Sequence, residues 1–453
     1  MRVHMPYGTE GLWIDLPDRC DVQVIEPRWI TQLRDAPSAV REALRAPIRL
    51  PPLSASVKTR DKVAIVFSDI TRPVPNATLL ACVLEQIAHV PKKNITLINA
   101  LGTHRPQTRD ELVGMLGEEI VREYRVVQHD GADRSNLLFL GTSSYGHPFW
   151  VNRLYAEATV RILTGVIEPH FFAGFSGGPK AVVPGIAGME TILANHSPAM
   201  LASPNATWAC TEGNPVWMDI REMAGMAGPA FLLNVCTDRQ GAPTAVFAGD
   251  LIEAHARGVE FAREHAVRNV PQPFDIVVTS NAGYPLDQNL YQAVKGMSVA
   301  ARVVRPGGHI IVVAECRYGV PEGSSYERIL SGGRNPAELG ARLSSRTAVE
   351  PEQWQVQIQI ATQMKATVHV RSGFLSDAQI RSALLEPCHR IEETVAQLLP
   401  ERGPDTTIGV LPSGPQTIPT LCEDACIAPY DPATNRLSSA CKGDLPAAPP
   451  AVR

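Results

Sequence analysis

The stretch Lys62-Val63-Ala64-Ile65-Val66-Phe67, continued by Ser68-Asp69-Ile70-Thr71-Arg72-Pro73, decides how the chain is read. A continuous apolar, β-branched run without alternation describes a strand buried on both faces, as in a parallel sheet covered by helices. After the loop to Pro75, Asn76 can cap a helix through Leu79, Leu80, Val83, Leu84 and Ile87. Ile95-Thr96-Leu97-Ile98 follows as a second strand and ends in Leu101-Gly102-Thr103-His104. A third, from Val160 to Ile167, runs into Glu168-Pro169-His170 and a glycine-rich loop from Gly174 to Gly188. Sheets of this kind bind ligands beyond the carboxyl ends of their strands, and all three of these ends carry polar residues.

Outward from there the alternation repeats. Pro271-Gln272-Pro273 resembles a linker, and Phe274 to Ser280 opens a second unit as a buried strand. Asp287 can cap a helix holding Tyr291, Gln292 and Lys295, and Pro306-Gly307-Gly308 leads into the strand His309 to Ala314. The strand Thr407 to Leu411 fits either unit. The expectation is an α/β protein of two domains, each with a largely parallel sheet flanked by helices: residues 1–270, then 271–419. The stretch 420–453, rich in proline and poor in large apolar residues, is expected to be an extended or disordered tail.

A chain of 453 residues exceeds one hydrophobic core, in line with two domains. Hydrophobic residues are 44% and charged residues 19%, with no apolar run of membrane-spanning length. The alternating segment from Gly11 to Pro17 stands where a signal peptide would need its apolar block, so a soluble, cytoplasmic protein is expected. The nine cysteines sit mostly singly in apolar contexts and read as reduced thiols. Cys422 and Cys426 are one close pair, a weak zinc signal without further ligands. A net charge of -4 and the lack of a basic block argue against nucleic-acid binding and leave small-molecule chemistry.

The segment from Glu168 to Lys180 carries the most chemical information. Gly177 and Gly178 let backbone approach an anionic group, although neither a G-x-G-x-x-G order nor a Gly-Lys-Ser/Thr ending is present. Lys180, between Pro179 and Ala181-Val182-Val183, is in the apolar surroundings that make a lysine nucleophilic; a solvated turn lysine is the plainer reading. His104, His170 and His196 all stand at element ends, where histidine can exchange protons or bind a transition metal, or serve structure alone. No local motif gathers several metal ligands. Arg72 can pair with a carboxylate or phosphate and Asp69 with sugar hydroxyls, or the two can form an internal ion pair. Tyr291, Gln292 and Lys295 share a helix face.

This set of motifs resembles the nickel-dependent lactate racemase family, with its wider group of 2-hydroxyacid racemases and epimerases. The carrying segments are Ser68 to Pro73, Leu101-Gly102-Thr103-His104, Glu168-Pro169-His170 with Gly177-Gly178-Pro179-Lys180, Asn195-His196, and Tyr291-Gln292-Ala293-Val294-Lys295-Gly296. The likeness covers nearly all of the chain up to Pro415. It implies a nickel-pincer nucleotide joined covalently to Lys180, with His196 as the protein's nickel ligand and His104 and His170 as the acid/base pair. Arg72, Gln292 and Lys295 match residues around substrate and cofactor. Asp69, Thr71, Gly177, Gly178, Tyr291 and Trp354 are expected at the cofactor.

The resemblance further implies inversion at C2 of a small 2-hydroxy acid, lactate-like or malate, through hydride transfer and a planar keto acid. Separate cofactor-synthesis enzymes would be its partners. Malate, an aromatic hydroxy acid and a sugar acid are the alternative substrates: malate would need a further cation, for which Arg317 is a candidate, and a sugar acid more hydroxyl-binding groups. A non-catalytic nucleotide- or metal-binding protein is the remaining alternative.

Overall fold

The computed structural model describes residues 1–72, 74–346, 349–403 and 405–421, together with the short strands Tyr430–Asp431 and Arg436–Leu437. Two six-stranded sheets organise it. The first runs in the order Pro243–Asp250, Phe231–Thr237, Val160–Val166, Val63–Ser68, Ile95–Ala100, Arg125–Gln128, and Pro243–Asp250 is antiparallel to its neighbour. The second, parallel throughout, runs Glu386–Pro387, Thr367–Arg371, Val304–Val313, Phe274–Ser280, Thr407–Leu411, Asp21–Val24. The chain is therefore α/β with helices on its sheets, as its apolar runs require. Ile65, Phe67 and Leu97 face the helices Ala36–Arg45 and Asn76–Gln86, whereas Ala64, Val66 and Ile98 face the opposite core.

Sheet topology fixes where ligands can enter. In the first sheet the chain starts at Val63–Ser68, moves outward through Ile95–Ala100, and then returns to Val160–Val166 on the other side. The order reverses between Val63–Ser68 and Val160–Val166, opening a crevice beneath the loops that carry Asp69 to Arg72 and Glu168 to His170. In the second sheet the reversal lies between Phe274–Ser280 and Thr407–Leu411. The helix Leu290–Ala300 packs against the turn Gly414–Gln416 there, and that turn also meets Pro169–His170. The two crevices face one another.

Chain order and sheet membership differ at the amino terminus. Residues before about 25, grouped by sequence with the first unit, belong with the second sheet: Asp21–Val24 pairs with Thr407–Leu411, and Val3, Met5, Ile14 and Leu16 pack on Ile276, Val278 and Ile311. Thr407–Leu411 is buried along its whole length and needs hydrogen-bonding partners on both edges, which Asp21–Val24 completes. Thr420 and Leu421 also correct the expected start of the tail. They lie in the strand Ile418–Leu421, which pairs in parallel with Val267–Val270, the strand that leads from the first sheet into the second. Beyond them, Tyr430–Asp431 pairs with Arg436–Leu437. The rest of the expected tail, with Cys422 and Cys426, lies outside the described residues.

Two helix starts depart from expectation. Asn289, not Asp287, caps Leu290–Ala300, because the Asp287 carboxylate accepts from the backbone N–H of Gly8 at 2.7 Å and of Glu315 at 3.0 Å. Asn76 begins its helix, and its amide donates back to the Ser68 carbonyl at 2.9 Å, closing the loop that carries Asp69 and Arg72. Among the described residues no helix is long and apolar enough to cross a membrane.

The alternation in the strand Leu12–Asp15 yields a contrast. Ile14 is 1% exposed and Trp13 56%. Ile14→Ala should lower unfolding stability by about 2–5 kcal/mol and Trp13→Ala by about 0.5 kcal/mol or less, read from denaturant melts; equal losses would contradict this packing.

Candidate active site

The loop after Val63–Ser68 holds a histidine in one orientation. His104 Nδ1 lies 2.7 Å from Asp69 Oδ2, and Thr71 Oγ1 donates to Asp69 Oδ1 at 2.8 Å. Asp69 is buried, yet its carboxyl is held below the ordinary range because the His104 and Thr71 bonds and the charge of Arg72 outweigh desolvation. A carboxylate only accepts, so a proton of His104 sits on Nδ1, and in the neutral ring the lone pair is on Nε2. Asp69 and Thr71, expected at the cofactor, are thus committed to His104. The anticipated alternative of an Asp69–Arg72 pair is also replaced: Arg72 Nη1 donates to Glu168 Oε1 at 2.6 Å.

His170 is wired the other way. Its Nδ1 accepts the backbone N–H of Ala173 at 3.3 Å, which leaves the proton of the neutral ring on Nε2. Burial, with Lys180, Arg72, Lys295 and His196 around it, pushes its pKa well below the ordinary value, so the ring is neutral. Of the two histidines, one brings a lone pair on Nε2 and the other a proton.

Phe172 forms the wall behind His170. Its ring meets His170 edge-on at 4.6 Å and His196 at 4.9 Å, and Lys180 Nζ lies 5.5 Å from its centroid. Trp354 packs on the far side of His196 at 5.2 Å and donates its indole N–H to the Tyr291 hydroxyl at 3.2 Å. Sequence reasoning passed over Phe172 and Glu168, although both stand inside the segment it singled out. His196 closes the helix Met189–Asn195, and its buried Nδ1 has no hydrogen-bond partner. Burial and Lys180 lower its pKa to about 3, so it is an unprotonated donor.

Lys180 occupies a short turn, Gly178–Ala181, and is 8% exposed. Burial, then Arg72 and Lys295, lower its pKa to about 7, close to its nucleophilic form at neutral pH. Lys295 is lowered to about 8 by burial and Arg72, partly offset by Glu168 and Asp69. Gln292 sits on the same helix, half-exposed. Gly177 and Gly178, expected at the cofactor, are packed closely against protein. A side chain on Gly177 would fall 2.6 Å from Asn234 Oδ1, one on Gly178 would run into His255, and the Gly178 N–H is taken by Asn234 at 2.8 Å. They seat the lysine turn on Asn234 and His255, with φ of +75° and +52°.

Arg317 pairs with Glu315 and does not line the cavity that Arg72, Glu168, His170 and Lys295 share. Arg72, Lys180 and Lys295 therefore converge, with Glu168 paired to Arg72 and Asp69 to His104. This arrangement calls for an anion. A phosphate-bearing nucleotide and a carboxylate substrate fit the charge, the buried lysine can take a covalent attachment, and the unpartnered His196 ring can hold a transition metal. Among the described residues no group of three or more His, Cys, Asp or Glu side chains could hold a metal, so its remaining ligands would come from a bound group.

A lysine depressed in the folded state binds fewer protons there than when unfolded, so stability rises with pH between the folded and unfolded pKa values. For unliganded protein the Lys180 contribution is unfavourable below about pH 7 and is relieved toward the ordinary lysine value. Lys180→Met should therefore melt a few degrees higher than the unsubstituted protein at pH 7, with the gap closing as pH rises above 9. A gap independent of pH would show that Lys180 is not depressed.

Comparison with known proteins agrees with this construction. Residues 7–209 match the family model "Lactate racemase N-terminal domain" and residues 270–418 match "Lactate racemase C-terminal domain". The lactate racemase of Thermoanaerobacterium thermosaccharolyticum is 34% identical over 422 residues, covering 92% of this chain and 98% of that protein. The lactate racemase of Lactiplantibacillus plantarum is 36% identical over 383 residues, 83% of this chain and 89% of its own length. The solved lactate racemase apoprotein of T. thermosaccharolyticum superposes with a TM-score of 0.88 at 33% identity, over 92% of this chain and 100% of that one. A Thermotoga maritima protein shares the fold with a TM-score of 0.66 at 18% identity, over 85% of this chain and 98% of its own. With both family models, the near-full-length relatives and the fold in agreement, the chain belongs to the lactate racemase family and is an isomerase.

Proposed function

We propose that the chain inverts C2 of a 2-hydroxy acid, with a nickel-pincer nucleotide joined to Lys180 and its nickel held by His196. The observation that carries this reading is the pair of oppositely wired imidazoles beside a buried lysine of lowered pKa. When bound, the group supplies a ring that takes up and returns hydride. Phe172, Trp354 and Tyr291 wall that side against water.

Arg72 and Lys295 hold the substrate carboxylate, and Glu168 fixes the guanidinium for it. The enantiomers present their hydroxyls to opposite sides, so inversion needs two proton-handling groups. His104 takes the hydroxyl proton at Nε2, while Asp69 balances the charge the ring gains and Thr71 steadies the carboxylate. For the other enantiomer His170 gives its Nε2 proton to the oxygen and regains one from solvent, to which His104 releases the proton it took; the opposite direction runs these transfers in reverse. Malate is disfavoured because Arg317, the cation anticipated for a second carboxylate, is bound to Glu315 away from the cavity.

The test is racemisation of lactate by nucleotide-loaded protein, followed by chiral chromatography. Label carried as deuterium at C2 should remain in the product; its loss to water would contradict the reading. His104→Asn and His170→Asn should retain nucleotide and nickel but lose inversion. Asp69→Asn should lower kcat by roughly 10²–10⁴-fold. Nitrogen-15 NMR of its unliganded form should show His104 moving away from the Nδ1–H form. Because the enantiomers have equal free energy, each variant must lose kcat/KM equally in both directions.

A further inference from the structure

The cavity bounded by Arg72, His170 and Lys295 continues past them into a chamber walled by Ile167, Phe171, Trp208, Phe261, Leu286 and Pro415. Two consecutive aromatic residues divide the space. Phe172 faces His196 and Lys180, whereas Phe171 stacks on His170 at 4.8 Å and reaches toward Trp208 at 6.0 Å. Lys180, His196, Tyr291 and Trp354 are not among the chamber walls. The chamber thus lies across His170 from the lysine, where the C2 substituent would extend from a carboxylate held by Arg72 and Lys295.

The cavity measures about 110 Å³; an apolar protein cavity of roughly 150 Å³ takes up benzene. That volume includes the space beside Arg72, His170 and Lys295 for the carboxylate and hydroxyl, and the apolar walls bound the remainder. Its charged residues beyond Arg72, Glu168, His170 and Lys295 do not favour a second carboxylate. Arg28 is 70% exposed beside Glu264, His265 has its Nδ1 engaged with the Phe261 carbonyl at 2.6 Å, and Asp238 brings a negative charge. Thr237 and Thr244 add hydroxyls without charge.

Building on the proposed inversion at C2, we infer that the preferred substrates are monocarboxylic 2-hydroxy acids with a branched aliphatic or aryl side chain larger than the methyl of lactate. Apolar burial of that side chain orients the acid against His170 and His104. One methylene in an apolar pocket changes discrimination by about 10–200-fold, so size alone can set the ranking.

The experiment compares kcat/KM of nucleotide-loaded protein for lactate, malate, 2-hydroxy-4-methylpentanoate and 3-phenyllactate. Ala262→Leu and Ala266→Leu, which narrow the chamber from the helix Leu251–Ala266, are run beside it. The expected result is a preference of about 10-fold or more for one of the bulky acids over lactate and malate. It should be lost in at least one variant, with lactate turnover and nucleotide mass kept. Lactate or malate as the best substrate would overturn the inference while leaving inversion at C2 standing, even if both variants failed to fold. Loss of nucleotide mass in the folded variants would assign the chamber to the cofactor and overturn it too. Inversion of no acid at all would instead remove the proposed function.

Discussion

Three cationic side chains, Arg72, Lys180 and Lys295, are brought within electrostatic reach of one another where two sheets meet, and the rest of the site follows from that crowding. Desolvation and like charge both disfavour a protonated amine. The folded chain bears this because its stability comes from elsewhere, in two sheets whose central strands are buried on both faces. An unliganded cleft of this kind is a standing demand for negative charge. The same cations that depress Lys180 keep His170 neutral, so covalent reactivity and proton handling have one electrostatic origin.

The carboxylates decide how that charge is distributed. Glu168 is spent on Arg72 and Asp69 on His104, which leaves both lysines without an ion-pair partner among the described residues. Had Asp69 paired with Arg72, His104 would have lost its orienting acceptor. Phe172 gives the arrangement a shape: its one ring meets His170, His196 and the Lys180 side. Val267–Val270, on the passage from the first sheet to the second, is held by pairing with Ile418–Leu421, which follows Thr407–Leu411.

Much of this was legible in the sequence because the informative residues are local. The buried strands announce themselves as apolar runs, and the polar residues that follow them are where such folds place chemistry. Lys180 and the three histidines stood out for that reason, and the family likeness joined them to a cofactor whose identity no spacing alone could give. Partnerships across long loops were not legible. Glu168 finds Arg72 across 96 positions and Asp69 finds His104 across 35, whereas the nearer Asp69–Arg72 pair suggested by sequence does not form. Asp287 looks like a helix cap until Gly8 and Glu315 are folded against it. The amino-terminal strand joins the second sheet because Thr407–Leu411 needs a neighbour, a requirement only the assembled sheet reveals. The glycines of the lysine loop were noticed for their conformational freedom, whereas their packing partner Asn234 leaves no local trace in the sequence.

The central claim is that the buried lysine exists to carry a nucleotide whose nickel rests on His196. Intact mass and metal content, measured on protein produced together with the cofactor-synthesis enzymes, test it most directly, with Lys180→Ala as the comparison. A nucleotide-sized gain in mass with bound nickel, both absent from the variant, is the predicted result. Unchanged mass and no nickel, with cofactor synthesis verified in the same cells, would contradict it.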